Sequence, residues 1–255
     1  GNFTGNHADE EGGVIRSEGT VTISDGIFSE NKADSMGGVI LITDGGTLLI
    51  DGGVFKDNEA NKGGVVFVNE ESHAVITGGV YSVNEANNGG VFFVDEDATF
   101  AVEGGNFTDN SADFGGFLYK TGRGHANCSG TSITEHRAFT GGAIYVLDDA
   151  DLLWECDLNE NEALTGPAIY AAEGTTIALR YMTLDNNVAS GGSVIFLVDS
   201  KLTTLQVEFT APEDSEGLSA VQADEKSSYT AEATVFSEFA GEAVIYSRGE
   251  LTLDD

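Results

Sequence analysis

The chain has 255 residues, with 34 glycines, two prolines, 43 acidic and 11 basic side chains, and a formal net charge of −32. Such acidity works against nucleic acid and anionic membrane surfaces as partners. No run of 18 apolar residues is present, so no helical membrane span is expected, and Gly1 reads as a mature or trimmed end with no signal peptide before it.

In chain order, Gly-Gly-Val-Ile at 12–15 opens the first of a series of laps. The opening glycine recurs at Gly12, Gly37, Gly63, Gly89, Gly115, Gly141, Gly166, Gly191, Gly217 and Gly241, in steps of 24 to 26 residues. A second marker runs in phase with it, an aromatic or aliphatic residue followed three places on by Asn. It reads Phe3/Asn6, Phe28/Asn31, Phe55/Asn58, Tyr81/Asn84, Phe107/Asn110, Leu158/Asn161 and Leu184/Asn187; Ile133 is followed by His136, and the laps at Phe209 and Phe236 lose the Asn.

Within a lap, Val39-Ile40-Leu41-Ile42, Thr47-Leu48-Leu49-Ile50 and Val54-Phe55 are short β-branched or aromatic runs bounded by Gly, Asp or Asn. No 3.6-residue periodicity runs long enough for a helix. Three strands per lap predict an all-β, single-domain parallel β-helix of about ten coils over residues 1–255, degenerate over 217–255. Coils stacked about 4.8 Å apart give a rod on the order of 48 Å long. Glycine suits the corner where a Cβ would clash, and the Asn column can stack its amides and satisfy turn backbone groups.

The alternation of Gly-Gly-Val-Ile (12–15, 37–40) and Gly-Gly-Ala-Ile (141–144) with Phe-x-x-Asn resembles the repeats of chlamydial-type polymorphic outer membrane proteins. The resemblance covers nearly the whole chain, fading after about Gly217. It implies a right-handed β-helix displayed outside the cell, as in adhesins and surface-layer proteins. It carries no catalytic residue across.

Cys128 and Cys156 lie 28 residues apart, close to one lap, so they fall in neighbouring coils, either as a disulfide or as two buried thiols. Asn2, Asn106 and Asn127 begin Asn-x-Ser/Thr sequons and are glycan candidates; Asn2 and Asn106 share a place in the lap.

Parallel β-helices also host lyases and glycosidases, which need facing carboxylates or a carboxylate-bound Ca²⁺ beside a base. Here Glu70, Glu71, Asp95, Glu96, Asp97, Asp148 and Asp149 follow the first strand of their laps and read as an acidic turn ridge, with weak Ca²⁺ binding as the functional reading and no other cofactor. Bases concentrate only at Arg123, His125, His136 and Arg137, a loop or a ligand pocket. The outward place of the second strand, Thr22, Leu49, Val75, Ala101 and Ala178, is not the threonine ladder that ice binding would want.

In the first strand, one column reads Ile15, Ile40, Val66, Phe92, Leu118 and Ile144, as a core should. The next column should point outward, yet reads Leu41, Phe67, Phe93, Tyr119, Tyr145 and Tyr170. An exposed stripe of that kind predicts a partner surface, with another copy of the chain as first candidate. The two ends point the same way. Leu251-Thr252-Leu253-Asp254-Asp255 followed by Gly1-Asn2-Phe3-Thr4-Gly5-Asn6 matches the internal run Val21–Asn31 in register, so head-to-tail stacking of Leu251, Leu253 and Asp255 onto Gly1, Asn2, Phe3 and Asn6 is expected, or continuation in a longer chain. The expected function is a non-enzymatic, extracellular or cell-surface structural protein that self-assembles. An adhesin-like binding module is the alternative and a carbohydrate-active enzyme the second.

Overall fold

The computed structural model describes residues 1–69, 71–213, 215–240 and 243–254. Glu70, Gly241 and Asp255, given roles above, lie outside the described residues. Every regular element is a β-strand, and every strand pairing is parallel, so the chain is a parallel β-solenoid of about ten turns.

Each full lap has four strands rather than three. In the lap that opens at Gly37 they are Ile40–Ile42, Thr47–Ile50, Val54–Lys56 and Glu59–Lys62. First strands stack into a ten-stranded sheet and fourth strands into an eight-stranded one. Second and third strands share a fifteen-stranded sheet, fused where His125–Thr134 and Asp151–Asn159 run straight across the intervening corner. The later third strands, from Thr183–Asp185 onward, form a separate three-stranded sheet. The fourth strand is short and begins right after the Asn marker, in polar sequence such as Glu-Ala-Asn-Lys, so its local propensity hides it.

The Gly-Gly corner is sterically obligatory. Gly63 has φ +66, and a Cβ there would lie 2.2 Å from the Val66 carbonyl oxygen. On Gly64 a Cβ would lie 2.3 Å from the carbonyl oxygen of Gly90, one lap on. Any side chain would push the laps apart.

Register is held inside by two columns. Rings Phe3, Phe28, Phe55, Tyr81 and Phe107 stack at 4.8 to 4.9 Å. Beside them Asn31 Nδ2 donates to Asn58 Oδ1, Asn58 to Asn84 and Asn84 to Asn110, at 2.9 to 3.0 Å. Each acceptor amide also takes the backbone N–H of the Asn before it, and Asn58 and Asn84 donate further to the carbonyls of Phe28 and Phe55. The buried amides are thus satisfied, as an interior requires. The ladder ends at Asn187 and the last fourth strand is Val188–Ala189. Where the later laps lose the Asn, the fourth strand goes with it.

Candidate functional site: the outer face of the first-strand sheet

The outward column of the first strand is a continuous ring stack. Phe67–Phe93, Phe93–Tyr119, Tyr119–Tyr145, Tyr145–Tyr170 and Tyr170–Phe196 have centroids 4.9, 4.7, 5.0, 4.9 and 5.6 Å apart, each pair within 15° of parallel. Parallel pairing in register aligns these positions lap on lap. The pleat then points all the rings to one side.

The stripe is not uniformly exposed, which corrects the expectation above. Leu41, Phe67 and Phe93 are buried, in a small apolar cluster separate from the main core and shared with Met36 and half-buried Tyr119. The cover comes from the chain itself. Met36 and Lys62 end their laps just before the Gly-Gly corner, which folds them back against the rings, and Lys62 Nζ sits 4.8 Å from the Phe93 centroid and 5.9 Å from that of Phe67. From Tyr119 on, the cover thins. Phe114, more than a third exposed, meets Tyr145 edge-on, while Tyr119, Tyr145, Tyr170 and Phe196 stay half-buried.

Acid groups surround the open half. Burial raises the Tyr119 hydroxyl to about 12, and Tyr145, Asp148, Asp95 and Glu173 push it the same way. Burial also raises Tyr145 and Tyr170, with Glu173 adding to both, Asp148 to Tyr145 and Asp224 to Tyr170. The Glu173 carboxyl is itself raised, chiefly by a hydrogen bond with Asp148. Arg123 reaches Asp149 at 3.8 Å and Lys226 reaches Asp199 at 3.8 Å; among the described residues no basic side chain pairs with Asp148, Glu173 or Asp224.

The other predicted residues scatter. Glu71, Glu96, Asp148 and Asp149 sit at corners with φ between 42 and 61°, a backbone role. Asp44, Glu71, Glu96 and Asp97 line an open acidic recess, and Asp95 accepts the Glu96 N–H at 3.1 Å. The basic group does not converge. His136 is wholly buried in the Asn ladder, His125 faces Asp151 at 3.2 Å on the second-strand face, and Arg137 bridges Asp109 and Glu162 on the fourth-strand face. A loop pocket at that lap is therefore ruled out as a joint site of the four.

Cys128 and Cys156 form a disulfide, Cα–Cα 5.6 Å. They are not level with one another. Cys128 pairs in register with Trp154, and Cys156 lies opposite the extra residue of a bulge between Ser129 and Ser132. The bulge accounts for a spacing of 28 rather than 26. Asn2, Asn106 and Asn127 are exposed. Asn2 and Asn106 share one column, with exposed Ile27, Val54 and Val80 between them, and Asn127 lies on the floor of a shallow groove of about 660 Å³ with Val75, Ala101, Leu153 and Ala178. Gly1, Asn2, Phe3 and Asn6 at one end and Leu251 and Leu253 at the other are exposed.

Lys120 escaped the sequence reading. It stands in a core column between Val94 and Val146, fully buried, and Nζ donates to the carbonyls of Glu96, Thr121 and Gly122. Burial lowers it to about 8, with Asp95, Asp97 and Asp148 opposing, so it is a turn-locking ammonium at neutral pH. Its signal was a lone lysine where every other lap is apolar or small.

No family model, curated protein or solved structure matches the chain.

Proposed function

We propose that the chain is a non-enzymatic structural rod of the cell exterior whose end faces accept further laps of the same repeat. One observation supports this most directly. At each end of the described rod the strand is paired on one side only, Asn2–Thr4 with Ile27–Ser29 and Glu250–Asp254 with Ser228–Glu232, and apolar side chains lie open there. Phe3 is 40 % exposed, Leu251 41 % and Leu253 60 %, whereas Phe28, in the same column as Phe3, is 2 % exposed. Open strand edges with apolar columns are templates for further pairing. The lap that seats there comes from a second copy or from continuation of the same polypeptide.

The disulfide and the three exposed sequons support an extracellular or cell-surface setting. The scattering of the basic residues supports a role without chemistry.

The experiment pairs intact mass of the native material with electron microscopy of the purified 255-residue chain. Unbranched fibres with an axial repeat on the order of 48 Å, or a native mass that holds more laps of the repeat, are expected. Leu251→Lys with Leu253→Lys should stop fibre growth of the purified chain. Single dispersed rods, with a native mass of one such chain, overturn the reading.

A further inference from the structure

The ring stack on the outer face carries its own precedent for what binds it. Lys62 lies over Phe67 and Phe93 at one part of the column, and near the other end Arg248 lies 5.8 Å from the Tyr246 ring centroid. Tyr246 belongs to the same column, in register with Gln222 and, through it, Phe196. The chain thus places a cation on the aromatic column on both sides of a gap. Within the gap, Tyr119, Tyr145, Tyr170 and Phe196 stack with no basic side chain over them among the described residues.

The reason is visible in the residues that precede the Gly-Gly corner. Pairing carries that column from Met36 through Lys62 and Asn88 to Phe114, Thr140 and Thr165. Only Lys62 has both the reach and the charge to cover rings. At Thr140 and Thr165 the cover is two short hydroxyl side chains. Asp148, Glu173 and Asp224 line the same gap without basic partners, on a rod of net charge −32.

Aromatic faces attract cations through the ring quadrupole, and a lysine or arginine stem also covers apolar surface. A second copy of this chain brings the wrong charge to this flank. A neutral glycan would stack on the rings but leave the carboxylates unanswered.

We propose that the half-open ladder Tyr119–Tyr145–Tyr170–Phe196, bordered by Asp148, Glu173 and Asp224, is a docking surface for a basic polypeptide segment, whose lysine or arginine side chains take the place that Lys62 and Arg248 fill elsewhere on the column. This stands apart from the end-stacking reading, since the ladder lies on the flank.

The test uses the whole chain and octalysine as the probe, by calorimetric titration at 150 mM salt, where loose charge attraction is screened on a scale of about 8 Å. Tyr145→Leu with Tyr170→Leu removes two ring faces, keeps apolar bulk and leaves the net charge unchanged. We expect it to weaken octalysine binding about tenfold, from roughly 1 kcal/mol per cation–ring contact. Asp148→Asn with Glu173→Gln, on exposed corners, should weaken it also and keeps the proposal testable if the tyrosine variant folds poorly. Binding by the Tyr145→Leu/Tyr170→Leu chain equal to that of the parent overturns the proposal, because bulk charge would then suffice. So does a neutral β-linked oligosaccharide that binds the parent where octalysine does not.

Discussion

At the scale of single residues, His136 shows what one substitution does to a periodic interior. It takes the place of Asn in the ladder, and its Nδ1 accepts the Asn110 N–H at 3.3 Å. Its backbone N–H reaches Asn161 Oδ1 at 3.0 Å, while Nε2 is buried with no partner. An unsatisfied buried polar atom costs about 1–3 kcal/mol, so His136→Asn, which restores the amide chain, should raise stability to denaturant by about 1 kcal/mol. A pH dependence accompanies it. Burial holds His136 down to about 3, against about 6.5 when unfolded. The unfolded state therefore binds the extra proton first. Stability from the neutral ring is complete above about 6.5 and is lost as pH falls toward about 3. The difference in denaturation midpoint between His136→Asn and the parent should widen over that window and stay flat above it. A constant difference across the window would show that the ring is not buried neutral.

At the scale of elements, the laps are held by ladder pairing, side-chain columns and one covalent tie. Cys128 and Cys156 close a 28-residue loop between the two longest strands, at the bulge where pairing is interrupted. Constraint of the unfolded chain by a loop of that length is worth about 3.5 kcal/mol on the chain-entropy account. Replacing both cysteines by alanine should lower the unfolding free energy by roughly 2–4 kcal/mol. Hydrogen exchange should localise the loss to strands His125–Thr134 and Asp151–Asn159 and their neighbours, since each lap touches only the next. Uniform loosening along the rod would contradict nearest-neighbour stability.

At the scale of the whole molecule, charge opposes compactness. A net charge of −32 is spread over a rod of about ten turns. The ten ion pairs resolved are mostly between exposed groups, where each contributes little. Screening this self-repulsion should stabilise the fold. Raising salt from about 10 to 150 mM contracts the screening length from about 30 to 8 Å, and should raise the thermal midpoint by several degrees. A midpoint independent of salt would mean that local pairing already offsets the repulsion.

The lap, its length and its interior were determined by the sequence. Glycine at a forced corner, a ring and an amide three residues on are local requirements that repeat with the lap, so they print a period of 24 to 26 residues directly. Alanine two places after the amide, from Ala8 through Ala33, Ala60, Ala86, Ala112, Ala138 and Ala163 to Ala189, carries the same period and marked the fourth strand all along. What the tertiary structure decided is which outward residues stay outward. Leu41, Phe67 and Phe93 share their column and parity with Tyr145 and Tyr170, yet the first three are buried and the tyrosines half-open. The difference lies in Met36 and Lys62, on a neighbouring strand that only the fold of the corner brings alongside. Likewise Arg123, His125, His136 and Arg137 are close in sequence, but one solenoid lap turns them to separate faces and to the core. Alternation along a strand fixes the side to which a side chain points; whether water reaches it depends on what packs over that side.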